Sequence, residues 1–98
     1  MVIAKWLQIR MKDKVIVWQF YNESETEPFG SRGITPSDEE MQELQNLSFG
    51  ELYAAKVDGV EVKDTPETFL EKIVKRAYDE YLEAKKVEEE AKEQTVEL

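Results

Sequence analysis

The chain has no cysteine and no histidine. Their absence removes disulfides, thiolate and imidazole metal ligands, cysteine nucleophiles and every histidine-based triad. Basic charge is scarce as well: 13 Lys and Arg stand against 22 Asp and Glu, a net charge of −9. That excess opposes direct binding to nucleic-acid phosphates or to an anionic membrane, and no local basic patch is read along the chain. A basic protein partner is the natural complement. Long apolar runs are missing too, and VIAKWLQIRM is broken by Lys5 and Arg10, so it reads neither as a membrane span nor as a signal-peptide core. The expected location is intracellular, in the cytoplasm.

What is present suffices for one core. With 98 residues, 41% hydrophobic content and ten aromatics, the chain reads as a single domain over residues 1–98. Its most legible stretch is TPETFLEKIVKRAYDEYLEAKKVEEEAKE, from Thr65 to Glu93. Thr65 and Pro66 are a helix start signal, with Glu67 at the positive end of the macrodipole. Phe69, Leu70, Ile73, Val74, Ala77, Tyr78, Tyr81 and Leu82 then recur at the spacing of a broad buried stripe. Beyond Glu83 that face offers only Ala84, Val87 and Ala91, so residues from about 84 onward are expected to form a solvated helical extension. At 1.5 Å per residue the helix would run roughly 43 Å, longer than a compact domain of this size, and ends either as a solvated tail or beside a partner's helix.

Val2 to Met11 and Lys14 to Tyr21 are rich in β-branched and aromatic residues around the break Lys12-Asp13, which predicts an antiparallel hairpin. Pairing Met11 with Lys14 would set Ile9 opposite Ile16 and Leu7 opposite Trp18. Ile3, Leu7, Ile9, Met11, Ile16, Trp18 and Phe20 would then face the core, conditional on the turn. The other face would carry Trp6, Val15, Val17 and Tyr21, too apolar for plain solvent, and needs either a partner or a cover from the chain's own helix or loop.

Asn22 to Ile34 reads as a loop with three carboxylates, Glu23, Glu25 and Glu27; its Gly30 and Gly33 make no P-loop. Thr35-Pro36-Ser37-Asp38 repeats the helix start signal, and a short helix through Met41, Leu44 and Leu47 should follow. Phe49 to Val57 and Val60 to Lys63 flank Asp58-Gly59, the signature of a tight hairpin turn. The fold class is therefore α+β, a four-stranded antiparallel sheet with helices on one face in the order ββαββα, closed by a long C-terminal helix.

Chemistry is thinly signalled. With this many acidic residues, close carboxylate pairs arise by chance, and Glu88-Glu89-Glu90 with Glu93 lacks the spacing of a calcium loop. The chain is expected to be non-enzymatic, with no cofactor and no metal. The hairpin segments IAKWLQIRM and VIVWQFYN, the lack of Cys and His and the Glu/Lys-rich terminal helix resemble the small acidic proteins of archaeal rod-shaped viruses, among them anti-CRISPR proteins. The resemblance implies a non-catalytic inhibitor that presents negative charge to a nucleic-acid-binding effector subunit in the host-cell cytoplasm.

Two expectations follow. One is an acidic interaction protein, an inhibitor or adaptor that docks on a basic, nucleic-acid-binding partner such as a CRISPR effector subunit. Glu23, Glu25, Glu27, Glu88, Glu89, Glu90 and Glu93 would carry that contact. The other is a structural homo-oligomer whose charge keeps it dispersed. A two-fold homodimer through Trp6, Val15, Val17 and Tyr21 is expected in either case.

Overall fold

The computed structural model describes residues 1–10 and 12–97, with the side chains of Ile9 and of residues 89–97 left aside. The elements are β1 (Val2–Arg10), β2 (Val15–Asn22), β3 (Gly30–Ile34), α1 (Asp38–Asn46), α2 (Phe49–Val57), β4 (Val60–Glu61) and α3 (Phe69–Glu97). One antiparallel sheet runs in the order β3-β2-β1-β4. Its helices all lie on one face, because Leu44 of α1, Ala55 of α2 and Ile73, Val74 and Ala77 of α3 share a single core with Ala4, Ile16, Trp18 and Phe20. The α+β class, the antiparallel four-stranded sheet, the one-sided helices and the long last helix are as expected from the sequence.

The element order is not ββαββα, and two reassignments account for the difference. Phe49 to Val57 is a helix: the Ser48 side chain accepts from the Glu51 N–H at 3.1 Å, and Leu52, Ala54, Ala55 and Lys56 are good helix formers. Asp58-Gly59 closes it, with Gly59 at φ 85° and its N–H reaching back to Ala54 O at 3.0 Å. A tight hairpin and a left-handed helix cap both require positive φ, so the dipeptide signals either. The second reassignment is Gly30 to Ile34, which pairs with β2 as an edge strand rather than forming a loop. Only Ile34 supplies a large apolar side chain there, so no alternation is visible in the sequence. Gly30 is required by proximity, since a Cβ would stand 2.5 Å from the Tyr81 ring.

The first hairpin forms in the expected register up to a bulge. Arg10 pairs with Val15, Ile9 with Ile16 and Gln8 with Val17, but the register shifts between Trp6 and Gln8, so that Trp6 and not Leu7 lies opposite Trp18. One extra residue in a strand exchanges its faces. Val2, Ala4 and Trp6 consequently point to the core, while Ile3 pairs with Tyr21 on the far side and Leu7 is 46% exposed. The expected Met11–Lys14 pair lies outside the described residues. On β2 the expectation holds: Ile16, Trp18 and Phe20 are buried, although the Trp18 indole N–H has no acceptor among the described residues.

The last helix starts three residues later than the Thr65-Pro66 signal indicates. Thr68 Oγ1 accepts from the Glu71 N–H at 3.1 Å, and Glu71 Oε1 accepts from the N–H groups of Thr68 (2.9 Å) and Glu67 (3.1 Å). This reciprocal cap matches the one at α1, where Ser37 and Glu40 exchange the same bonds. The N-cap of each helix therefore follows its proline. Helix α3 then crosses the sheet and runs past it, giving extents of 53 × 32 × 25 Å and a radius of gyration of 14.9 Å, against roughly 13 Å for a compact chain of this length.

Gly59 offers a direct test of the α2 reassignment. A Cβ there would collide with Ile3 Cγ2 and would force a side-chain-bearing residue into the left-handed region. Gly59→Ala is expected to destabilise the fold by about 1–3 kcal/mol. Urea denaturation read by circular dichroism measures it, and an unchanged midpoint would contradict the cap.

Candidate functional site

Three surfaces stand out once charge and burial are mapped on this frame. The first is acidic. Glu23, Glu25 and Glu27 lie exposed in the connection between β2 and β3, where the chain turns through Ser24 at φ 70°. Asn22 Nδ2 donates to Glu25 Oε2 at 3.3 Å, and among the described residues none of the three carboxylates has a cation within ion-pair distance.

An aromatic cluster fixes where this loop ends. Phe20 packs on Tyr78 and Tyr81 with ring centroids 5.2 and 5.4 Å apart, Phe29 lies 6.1 Å from Tyr81, and the Tyr81 hydroxyl donates to Phe29 O at 3.4 Å. The loop is thus tied to α3 seven residues before Glu88, about 10 Å along the helix axis. Glu88 is exposed, and the side chains of Glu89, Glu90 and Glu93 lie outside the described residues. Glu88 lines a small pocket with Ser31, Arg32 and Lys85 beside the edge strand β3.

The second surface is the uncovered sheet face. Val15, Val17 and Tyr21 lie on it as expected, together with Ile3, Lys5 and Gln19, all partly exposed. Lys5 Nζ stands 4.9 Å from the Tyr21 ring centroid, and the Tyr21 hydroxyl donates to Gln19 Oε1 at 3.1 Å. Trp6 does not belong to this set. The bulge at Leu7 turns it to the core side, where its ring lies 6.3 Å from that of Trp18.

The third surface was not anticipated. An open groove of about 520 Å³ runs along the outer face of α3 beside the edge strand β3, bringing Arg32, Lys72, Lys75 and Arg76 together with Asp79, Glu80 and Glu83. Four of the few cations therefore cluster, though mixed with carboxylates rather than as a plain basic patch. Arg76 Nη1 donates to both oxygens of Glu40 at 2.8 and 3.0 Å, Lys75 pairs with Asp79 at 3.1 Å, and Arg32 reaches Glu80 at 3.5 Å. Arg32 Nε and Arg76 Nη2 are enclosed without an acceptor among the described residues. Partial burial works to raise the Glu40 pKa, but the Ser37 N–H and Arg76 outweigh it and hold the carboxyl below its ordinary value. The spacing of Lys72, Lys75 and Arg76 was readable on the helix; Arg32 was hidden in a segment without strand signal. Also unanticipated are Phe49 and Tyr53, 83% and 59% exposed and stacked on α2, a segment read from sequence as a strand.

Among the described residues no group of three or more acidic side chains is gathered as for a metal ion, and no helix is long and apolar enough to cross a membrane. No protein-family model, curated protein or solved structure matches the chain.

The most strongly perturbed carboxylate is structural. Lys63 Nζ lies 2.7 Å from Glu71 Oε2. That bond, with the N–H groups of Thr68 and Glu67, lowers the Glu71 pKa from 4.5 to about 2. A depressed folded-state pKa means that the ionised group stabilises the fold above its unfolded value, and that this stability is lost as pH falls from about 4.5 toward about 2. Glu71→Gln should therefore be less stable than the parent at neutral pH, and the gap should close across that acid window. Thermal melts of both proteins over the range check this; a gap constant down to the lowest pH would refute the assignment.

Proposed function

We propose that the protein is a non-enzymatic interaction protein, an inhibitor or adaptor, that docks its acidic surface on a basic, nucleic-acid-binding protein partner. The observation that carries this reading is the exposed connection between β2 and β3, which gathers the three carboxylates Glu23, Glu25 and Glu27 on one turn. On the body of the fold, Glu40, Glu71, Asp79 and Glu80 each have a basic neighbour at 4.0 Å or less. The loop carboxylates Glu23, Glu25 and Glu27 have none among the described residues and are all exposed. Unpaired negative charge gathered on an exposed loop is a surface suited to steering a cationic partner. A CRISPR effector subunit, as the viral resemblance implies, is one partner of that chemistry.

Exposed charges are screened beyond about 8 Å at physiological ionic strength, so the contact should weaken steeply with added salt. Changing Glu23, Glu25 and Glu27 to Lys should slow association with a partner captured from the native host while leaving the melting temperature within a few degrees of the parent. Surface plasmon resonance across a salt series reads both; a salt-independent on-rate, equal for parent and variant, would exclude the loop from docking.

A second reading is favoured by the open sheet face, which suits a structural homo-oligomer. Ile3, Val15, Val17 and Tyr21 form an apolar strip that no helix of the chain covers. A two-fold mate would bury it with the same strip of its own. Val17→Asp should then shift the protein toward monomer in sedimentation equilibrium, and equal masses for variant and parent would count against this face.

A further inference from the structure

Helix α3 carries its outer charges in two blocks, Lys72, Lys75 and Arg76 and then Asp79, Glu80 and Glu83. They are placed symmetrically about the point midway between Ala77 and Tyr78: Arg76 mirrors Asp79, Lys75 mirrors Glu80, and Lys72 mirrors Glu83. Inverting the helix about that point puts every cation where a carboxylate stood. The inner face of the same turns, Ile73, Val74 and Ala77, is buried in the core, so this stripe lies on the opposite, outward side and lines the open groove.

We propose that α3 is a self-pairing surface, on which a second copy of this chain lays its own α3 antiparallel, with the two-fold axis passing beside Ala77 and Tyr78. In that arrangement Lys72 of each copy faces Glu83 of the other, Lys75 faces Glu80 and Arg76 faces Asp79. A parallel arrangement would set cation on cation and carboxylate on carboxylate, so the charge pattern selects one orientation. The exposed Val87 would come to lie across the first turn of the mate, at Thr68 and Phe69, and the aliphatic stems of the lysines would cover one another.

The outermost pair contributes most of the selectivity. Arg76 already serves Glu40, Lys75 already serves Asp79, and Glu80 already lies between Arg32 and Arg76. Lys72 and Glu83 are exposed and have no ion-pair partner among the described residues. Exposed ion pairs set orientation more than they add affinity, so the dimer is a weak one that tightens at low salt. This pairing goes beyond the acidic docking proposed above and uses a different surface from the open sheet face.

A charge swap tests it. Within one chain Lys72 and Glu83 are about 16 Å apart along the helix, beyond the screening length, so they interact only between copies. Lys72→Glu and Glu83→Lys alone each turn two symmetry-related attractions into repulsions and should weaken dimerisation about tenfold at low salt, read by sedimentation equilibrium. The double variant Lys72→Glu/Glu83→Lys restores complementarity and should return to the parent's association. An equimolar mixture of the two single variants should associate more tightly than either alone, because positions 72 and 83 are both acidic in one variant and both basic in the other, so both outer pairs become attractive in the mixed dimer. Circular dichroism confirms that each variant is folded. A monomeric parent, single variants that associate like the parent, or a double variant no better than the singles would each overturn the proposal. So would dimerisation abolished by Val17→Asp and indifferent to the swaps, which would assign it to the sheet face.

Discussion

The structure depends on one contact: the row Ile16, Trp18 and Phe20 of β2 against Ile73, Val74 and Ala77 of α3. Five of these six are the largest fully enclosed side chains of the described chain, and the sixth, Ala77, is buried with them. Every other element is placed relative to this contact. Strand β2 is central enough to be paired on both sides, by β1 and β3, so its alternation is read on both faces at once. Helix α3 supplies the cover, and its small residue Ala77 lets it lie close to the strands. Because deletion of a large buried side chain costs about 2–5 kcal/mol, a single truncation here would remove a large share of a typical domain's stability.

The same contact fixes what is left uncovered. All three helices share the core on one face of the sheet, so none of the described helices covers the other side, and the partly apolar residues there remain open. The bulge at Leu7 keeps that imbalance from being larger. Without the extra residue the first half of β1 would present Ile3 and Leu7 to the core and would turn Trp6 outward, enlarging the exposed apolar face by its bulkiest side chain. Instead Trp6 stacks obliquely near Trp18, and the residue left outside is Leu7. A bulge also bends the edge of β1 that β4 covers only at Ile3 and Ala4, which discourages further strands from adding there.

Legibility in the sequence followed the strength of each local signal. The β2 alternation and the α3 stripe could be read because each repeats over several periods, and both were found where expected except at Leu82, which is exposed. The Asp58-Gly59 signal was misread because positive φ serves helix caps and hairpins alike; the alanines and the Ser48 cap, which favour a helix, were the discriminating residues. Strand β3 was illegible because its pairing is with β2 and its sequence, GSRGI, holds two glycines that exist to admit Tyr81 and Val15. The bulge could not be read at all, since nothing in LQI distinguishes a residue that pairs from one that is skipped. Of the candidate sites, the loop carboxylates were placed correctly on an exposed turn, Trp6 was lost to the bulge, and the α3 groove was missed because Arg32 came from the unread strand.

Helix α3 therefore has three separate tasks on three parts of one continuous element. Its inner face closes the core, its outer face carries the mirrored charges, and its two tyrosines, Tyr78 and Tyr81, pack on Phe29 at the end of the loop. The tasks do not compete, because successive helical residues point in different directions and the tyrosines that pin the loop lie between the charged stripe and the core. Geometry adds a consequence. A two-fold contact along α3 and a two-fold contact across the open sheet face use surfaces on different sides of the molecule, so the two axes do not coincide. Two such isologous contacts on one chain, if both formed, would build an assembly larger than a dimer, closed where the two axes meet and open where they do not. Were both pairings to form, added salt would weaken the charge-driven helix contact and leave the apolar one in place.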